Sequence, residues 1–265
     1  MRRLPWFAWL SIGLAVTAVV VLVAIYAPGN APPDYTGPPR AAIVDQLSVM
    51  RVNEAFITEI TTELEEFGFE VDLYQGEEVD VDFYRTLPAR GYRLLILRSH
   101  SGVMKRDEGS IKKTVLFTNE DYTTGAHQID QILGRLPMAR VSEDDPMIFA
   151  IAPTFVTESM EGEFDDTFII MMGCEGITVL DLAEAFIEKG ASAYLAWDEI
   201  VGLRYVDEAT PYLLRQLCSE RLTIAEAVAS TMDKEEGIGP DPRYGAALKY
   251  YPSEVGDTTL PEPVS

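Results

Sequence analysis

The chain has 265 residues, with 43 acidic against 21 basic side chains and a formal net charge of −22 at neutral pH. A surface of that sign repels nucleic acid and anionic headgroups, which excludes a nucleic-acid-binding role. The length suffices for one large domain with short appendages, and only two histidines and two cysteines are available for chemistry.

Trp6 to Tyr26 is an uncharged run rich in Val, Leu, Ala and Ile. As a helix it spans roughly 31 Å, the thickness of a bilayer's hydrocarbon. Arg2 and Arg3 precede it, and Trp6, Trp9 and Tyr26 lie near its ends, where amphipathic rings favour the interface. The run exceeds the apolar region of a cleaved signal peptide, and Ala27-Pro28-Gly29-Asn30-Ala31 is a poor cleavage site. Residues 1–27 are therefore expected to be an uncleaved anchor in the cell membrane, crossing it through residues 6–26. The positive-inside rule keeps Arg2 and Arg3 in the cytoplasm and the remainder on the extracytoplasmic side. Residues 28–39, with Pro28, Pro32, Pro33, Pro38 and Pro39, read as a stiff proline-rich linker.

From residue 40 strands and helices alternate. Ala41–Val44 is a short apolar strand. Glu54–Phe67 is an amphipathic helix, with Phe56, Ile57, Ile60, Leu64 and Phe67 at helical spacing and Gly68 as its stop. Phe69–Tyr74 alternates as a half-buried strand should, 82–90 is a short helical turn, and Tyr92–Leu97 is a continuous apolar strand. The stretch 103–165 is less regular, with strands at 114–117 and 147–151 and a polar loop carrying His127, read as a surface residue. Phe168–Met172 is another buried strand, 180–189 a helix and Ala191–Trp197 a further strand. Helices follow at 210–217 and 224–232. This pattern predicts one α/β domain over 40–252, a mostly parallel sheet covered by helices, with 253–265 as a flexible tail.

Two phrases stand out: Leu94-Leu95-Ile96-Leu97-Arg98-Ser99-His100-Ser101-Gly102 and Phe168-Ile169-Ile170-Met171-Met172-Gly173-Cys174-Glu175-Gly176. Each is a buried strand running into a reactive side chain and then a glycine. In an open parallel sheet, ligands meet the carboxyl ends of strands, so His100 and Cys174 would share one rim. There Cys174 would attack a carbonyl as thiolate, and His100 would protonate the leaving amine and later assist water. Backbone amides around Ser101, Gly102 and Gly173 would serve the oxyanion. The other cysteine, Cys218, lies on what reads as the buried face of a helix; a Cys174–Cys218 disulfide is the competing use of the pair.

On these residues the chain resembles the caspase-like cysteine peptidases, the superfamily of caspases, metacaspases, legumains, gingipains and separases. Ser99-His100-Ser101-Gly102 and Gly173-Cys174-Glu175-Gly176 hold the positions of that family's histidine and cysteine motifs, in the same order. The stretch from Leu182-Ala183-Glu184-Ala185-Phe186 through Trp197, then Thr223-Ile224-Ala225-Glu226-Ala227, is similar to bacterial caspase-related domains. The resemblance covers about residues 40–232 and implies a caspase-like sheet and a peptidase acting on peptide or protein substrates without a cofactor. There are two departures. The family usually has Gly directly after the His, where this chain has Ser101, and losing one oxyanion donor costs about 10²–10³ in rate. The spacing from His100 to Cys174 also exceeds the roughly 50 residues of caspases.

Asp198 and Glu199 follow the Ala191–Trp197 strand and are candidates for a pocket favouring Arg or Lys at the scissile position; capping of the next segment is the alternative. Asp107, Glu108, Glu120 and Asp121 match no calcium-loop spacing, so no metal is expected. Two other readings stay open at this level. One is a catalytically degenerate caspase-like binding or assembly module. The other is a flavodoxin-like ligand-binding domain, disfavoured because Val44-Asp45-Gln46-Leu47-Ser48 is not a phosphate loop.

Overall fold

Side-chain alternation along the apolar strands gives the domain two cores. The computed structural model describes residues 37–104 and 112–261. In chain order the elements are β1 (Arg40–Asp45), α1 (Glu54–Phe67), β2 (Glu70–Gln75), α2 (Val81–Thr86), β3 (Leu94–Arg98), β4 (Ser101–Met104), β5 (Lys113–Asp121), α3 (Gln128–Ile132), β6 (Met138–Ala139), β7 (Ile148–Ile151), α4 (Pro153–Ser159), β8 (Thr167–Met171), α5 (Asp181–Glu188), β9 (Ala191–Trp197), α6 (Leu203–Cys218), α7 (Ile224–Thr231) and β10 (Leu248–Tyr251). The main sheet runs β10-β9-β8-β3-β1-β2, parallel except for β10. A second sheet, β4-β5-β7-β6, is antiparallel. The chain is thus an α/β protein with a mixed, mostly parallel sheet flanked by helices.

Ile43, Leu94, Ile96 and Ile170 point to one face and pack against Phe56, Ile60 and Leu64 of α1 and Leu213, Leu214 and Leu217 of α6. Val44, Leu95, Leu97 and Ile169 point to the other and meet Phe83, Phe155 and Phe186 from α2, α4 and α5. A strand covered on both faces needs apolar residues at every position, which is why β3 and β8 read as unbroken apolar runs. α1 starts where Asn53 accepts the Phe56 N–H and ends at Gly68, whose φ of 110° suits glycine.

Three expectations change. The helix expected over 210–217 begins already at Leu203, with Pro211 inside it. Pro211 offers no N–H to the Asp207 carbonyl. Burial of Val206, Leu213, Leu214 and Leu217, at about 1.5–3 kcal/mol each, outweighs the roughly 3 kcal/mol that an interior proline costs. Ser101-Gly102, read as the run-out of the strand that carries His100, is the start of β4, paired with Leu116 and Val115 of β5. The described part of the segment expected as a flexible tail, residues 253–261, packs down instead: Ser253–Asp257 is a 3-10 turn, the Thr258 carbonyl accepts the Ile224 N–H at 2.9 Å, and Leu260 is buried in the α1/α6 core. Residues 6–26 and most of the linker lie outside the described residues. Among the described residues no helix is long and apolar enough to cross a membrane.

Candidate active site

β3 and β8 are neighbours, paired from Leu94–Phe168 to Leu97–Met171, and Met172 N–H extends the ladder to the Leu97 carbonyl at 2.9 Å. Segments leaving their carboxyl ends therefore start roughly 4.8 Å apart. His100 leaves one strand and Cys174 the other, so the topology brings the two elements onto one sheet edge.

Short polar contacts join the two segments. Ser101 Oγ donates to the Cys174 carbonyl at 2.6 Å, and Glu175 Oε2 accepts the Val103 N–H at 3.1 Å. Gly173 fills the seam: a Cβ there would stand 2.3 Å from Ser101 Oγ and 2.5 Å from the Ser99 carbonyl. No side chain fits that gap. Gly102 is different, since a Cβ would meet only Glu175 Oε2, at an ordinary 3.6 Å. Directly after the cysteine, Glu175 holds a φ of 53° and donates its N–H to the Glu199 carbonyl at 3.0 Å. A non-glycine residue in the left-handed region persists only where its surroundings hold it.

His100 is fixed through its backbone. Its N–H donates to Gln46 Oε1 and its carbonyl accepts from Phe117 N–H, both at 3.0 Å, with the ring 5.9 Å from that of Phe117. Burial lowers the imidazole's pKa from the ordinary histidine value, against a smaller pull upward from Asp145. Cys174 is half-buried and its Sγ donates to the Val201 carbonyl at 3.5 Å. Burial pushes the thiol up; the Val201 bond opposes this and the charges of Glu175 and Asp241 add to it. Both shifts favour the uncharged forms, a thiol at Cys174 and a neutral imidazole at His100. A neutral imidazole can take a proton, and a protonated thiol needs a base before it can attack.

Both cysteines are free, so no Cys174–Cys218 disulfide forms; Cys218 is buried on α6, its thiol pushed up to about 12. Asp198 and Glu199 lie on the Cys174 rim, but Asp198 Oδ1 accepts the Ala247 N–H at 2.7 Å and Oδ2 lies 4.0 Å from Lys249 Nζ. Glu199 is exposed and reaches the site through its carbonyl. His127 is paired rather than bare: its Nε2 lies 2.8 Å from Glu120 Oε1, and its ring stands edge-on to Phe149. Asp107 and Glu108 lie outside the described residues.

Three residues that shape this rim were missed from the sequence. Gln46, 2% exposed, holds the His100 amide and donates to Asn119 Oδ1 at 2.7 Å. Arg98, fully buried two residues before His100, pairs with Asp45 at 2.7 Å and bidentately with Asp207 at 2.8 Å. A charge inside a doubly covered strand must be paired, so Arg98 was legible as a network centre. Asp241, in a stretch to which the sequence assigns no helix or strand, is buried and accepts N–H groups from Gly202, Arg243 and Tyr244. The Asp-Pro-Arg-Tyr sequence signals such a turn, though not its place beside Cys174.

No model of a known protein family and no curated protein matches this chain.

Proposed function

We propose that this chain is a membrane-anchored cysteine peptidase of caspase-like fold, hydrolysing peptide bonds on the extracytoplasmic side. The observation that carries the reading is the adjacency of β3 and β8, whose outgoing segments hold His100 and Cys174 and are joined by the Ser101–Cys174 hydrogen bond. In this mechanism His100 removes the thiol proton as Cys174 Sγ attacks the scissile carbonyl. The C–N bond breaks, the imidazolium gives its proton to the departing amine, and a thioester remains on Cys174. Water, deprotonated by His100, attacks the thioester; the carboxylic acid leaves and the thiol is restored. Amides near Gly173 and Ser101 are the candidates for oxyanion donors. Residues 6–26 hold the domain at the membrane.

The experiment is turnover of an internally quenched peptide library by the full chain in detergent. Parent protein is expected to cleave, and Cys174→Ala to lose at least about 10³-fold, since the nucleophile is gone. Equal turnover by the two proteins would remove Cys174 from the mechanism.

One observation favours a second reading, a caspase-like binding module without turnover. The thiol is tied to the Val201 carbonyl and lies near two carboxylates that disfavour its ionisation. That reading expects no cleavage of any library peptide, together with a partner recovered by cross-linking to this rim.

A further inference from the structure

The strand order defines what lies on each side of the proposed dyad. Cys174 follows β8 and His100 follows β3; beyond His100 come β1 and then β2. In acyl transfer the acyl half of a peptide stays on sulfur, while the departing amine takes its proton from the imidazole. On the peptidase reading, the half of the substrate C-terminal to the scissile bond would depart on the His100 side of the dyad, the side on which β1 and β2 lie.

A cavity of about 540 Å³ lies there. Gln46 belongs to its lining and also accepts the His100 N–H, so cavity and histidine share a residue. Asp145, another lining residue, acts electrostatically on the imidazole. The lining carries the carboxylates of Glu77, Asp80, Glu120, Asp121 and Asp145 against one guanidinium, Arg140, whose Nη1 is turned to the Glu143 carbonyl at 3.0 Å. Glu120 pairs with His127, Asp80 Oδ1 accepts the Phe83 N–H at 2.6 Å and Asp145 Oδ2 the Ser142 N–H at 2.9 Å, while Glu77 and Asp121 are exposed and in no ion pair among the described residues. Apart from Gln46 and Asn119, the remaining wall is apolar, and Val49, Met50 and Val141 are 56%, 49% and 47% exposed.

A lysine or arginine side chain is an apolar stem with a cationic tip, and it matches both halves of this lining. An acidic side chain matches neither the charge nor the wall, and an aliphatic one matches only the wall. We infer that this cavity is the leaving-group subsite, taking a Lys or Arg side chain just C-terminal to the scissile bond. The inference rests on the peptidase reading and concerns residues other than Asp198 and Glu199, which lie on the Cys174 side.

The test uses the full chain in detergent and quenched peptides that differ only after the scissile bond: Lys, Arg, norleucine or Glu. The expected kcat/KM is about tenfold higher for Lys and Arg than for norleucine, with Glu lowest, and the preference shrinks as salt rises. The double variant Glu77→Gln/Asp121→Asn is expected to bring the Lys-to-norleucine ratio to roughly twofold or less. Glu188→Gln, at the C-terminal end of α5 where the chain enters β9, is expected to leave the ratio unchanged. Cleavage without a Lys or Arg preference, or a preference that survives the double variant, overturns the subsite while the peptidase reading stands. If no peptide is cleaved and Cys174 resists alkylation, the peptidase reading fails first and the subsite falls with it.

Discussion

Ser101 Oγ donates to the main-chain carbonyl of Cys174 at 2.6 Å, and this bond ties the histidine segment to the cysteine segment. The caspase-like resemblance puts glycine where this chain has Ser101. The hydroxyl gives that substitution a structural use: with Glu175 to Val103, it bridges the two strand ends. Ser101→Ala is expected to cost about 1 kcal/mol of stability, the usual net worth of such a bond, read from chemical denaturation. It should also slow alkylation of Cys174 relative to Cys218 in the unfolded chain. Unchanged stability and reactivity would deny the bond any role.

Gly173→Ala is the harsher change. Its Cβ would lie 2.5 Å from the Ser99 backbone carbonyl, which cannot swing aside as a side chain can. A loss of roughly 1–3 kcal/mol is expected. Gly102→Ala, with only an ordinary contact at 3.6 Å, should cost less. Thermal melts of the two variants side by side check the ranking, and the reverse order would contradict the packing described at the seam.

Arg98 anchors the other side of the rim. Removing it by Arg98→Met leaves Asp45 and Asp207 buried and uncompensated, at an expected cost of about 3–5 kcal/mol. Neutralising both partners as well, in Arg98→Met/Asp45→Asn/Asp207→Asn, should recover part of that loss. A single Arg98→Met variant as stable as the parent would show that the network contributes nothing.

The pH dependence follows from the two shifts, which favour neutral forms. Cys174 is pushed above the ordinary thiol value, mainly by burial, so its alkylation rate should keep rising with pH beyond the point where a free cysteine levels off. His100 is held below the ordinary histidine value. Its contribution to stability is therefore present above about pH 6.5 and lost as pH falls through the lowered folded value. His100→Gln, which does not titrate, should lose less stability over that acid range. Parallel pH–stability curves for parent and variant would contradict the shift.

Much of the fold was legible because burial writes itself into apolar pattern. The helix Glu54–Phe67 and the strand Ala191–Trp197 have the expected limits, set by Gly68 and by the apolar run itself. The start of α6 was not legible, because Pro211 reads as a helix boundary and only packing against α1 overrides it. The order of Leu260 was hidden in a Pro-rich end, since one buried leucine carries no periodicity. Truncation after Pro252 should accordingly destabilise the domain by about 2–4 kcal/mol, read as a lowered melting temperature. At the rim, His100 and Cys174 were legible as strand-end residues. Gln46 and Asp241 were not, because their roles come from contacts across the sheet rather than along the chain.

Whether a neighbouring imidazole activates the Cys174 thiol is tested most directly by mass spectrometry of the intact full chain after exposure to a peptidyl acyloxymethyl ketone. The thiolate displaces the carboxylate of the probe and forms a thioether, which marks the nucleophile permanently. The expected result is one adduct, on Cys174, formed about 10²–10⁴-fold more slowly in His100→Ala. An adduct on Cys218, or labelling of Cys174 at the same rate without His100, would contradict it.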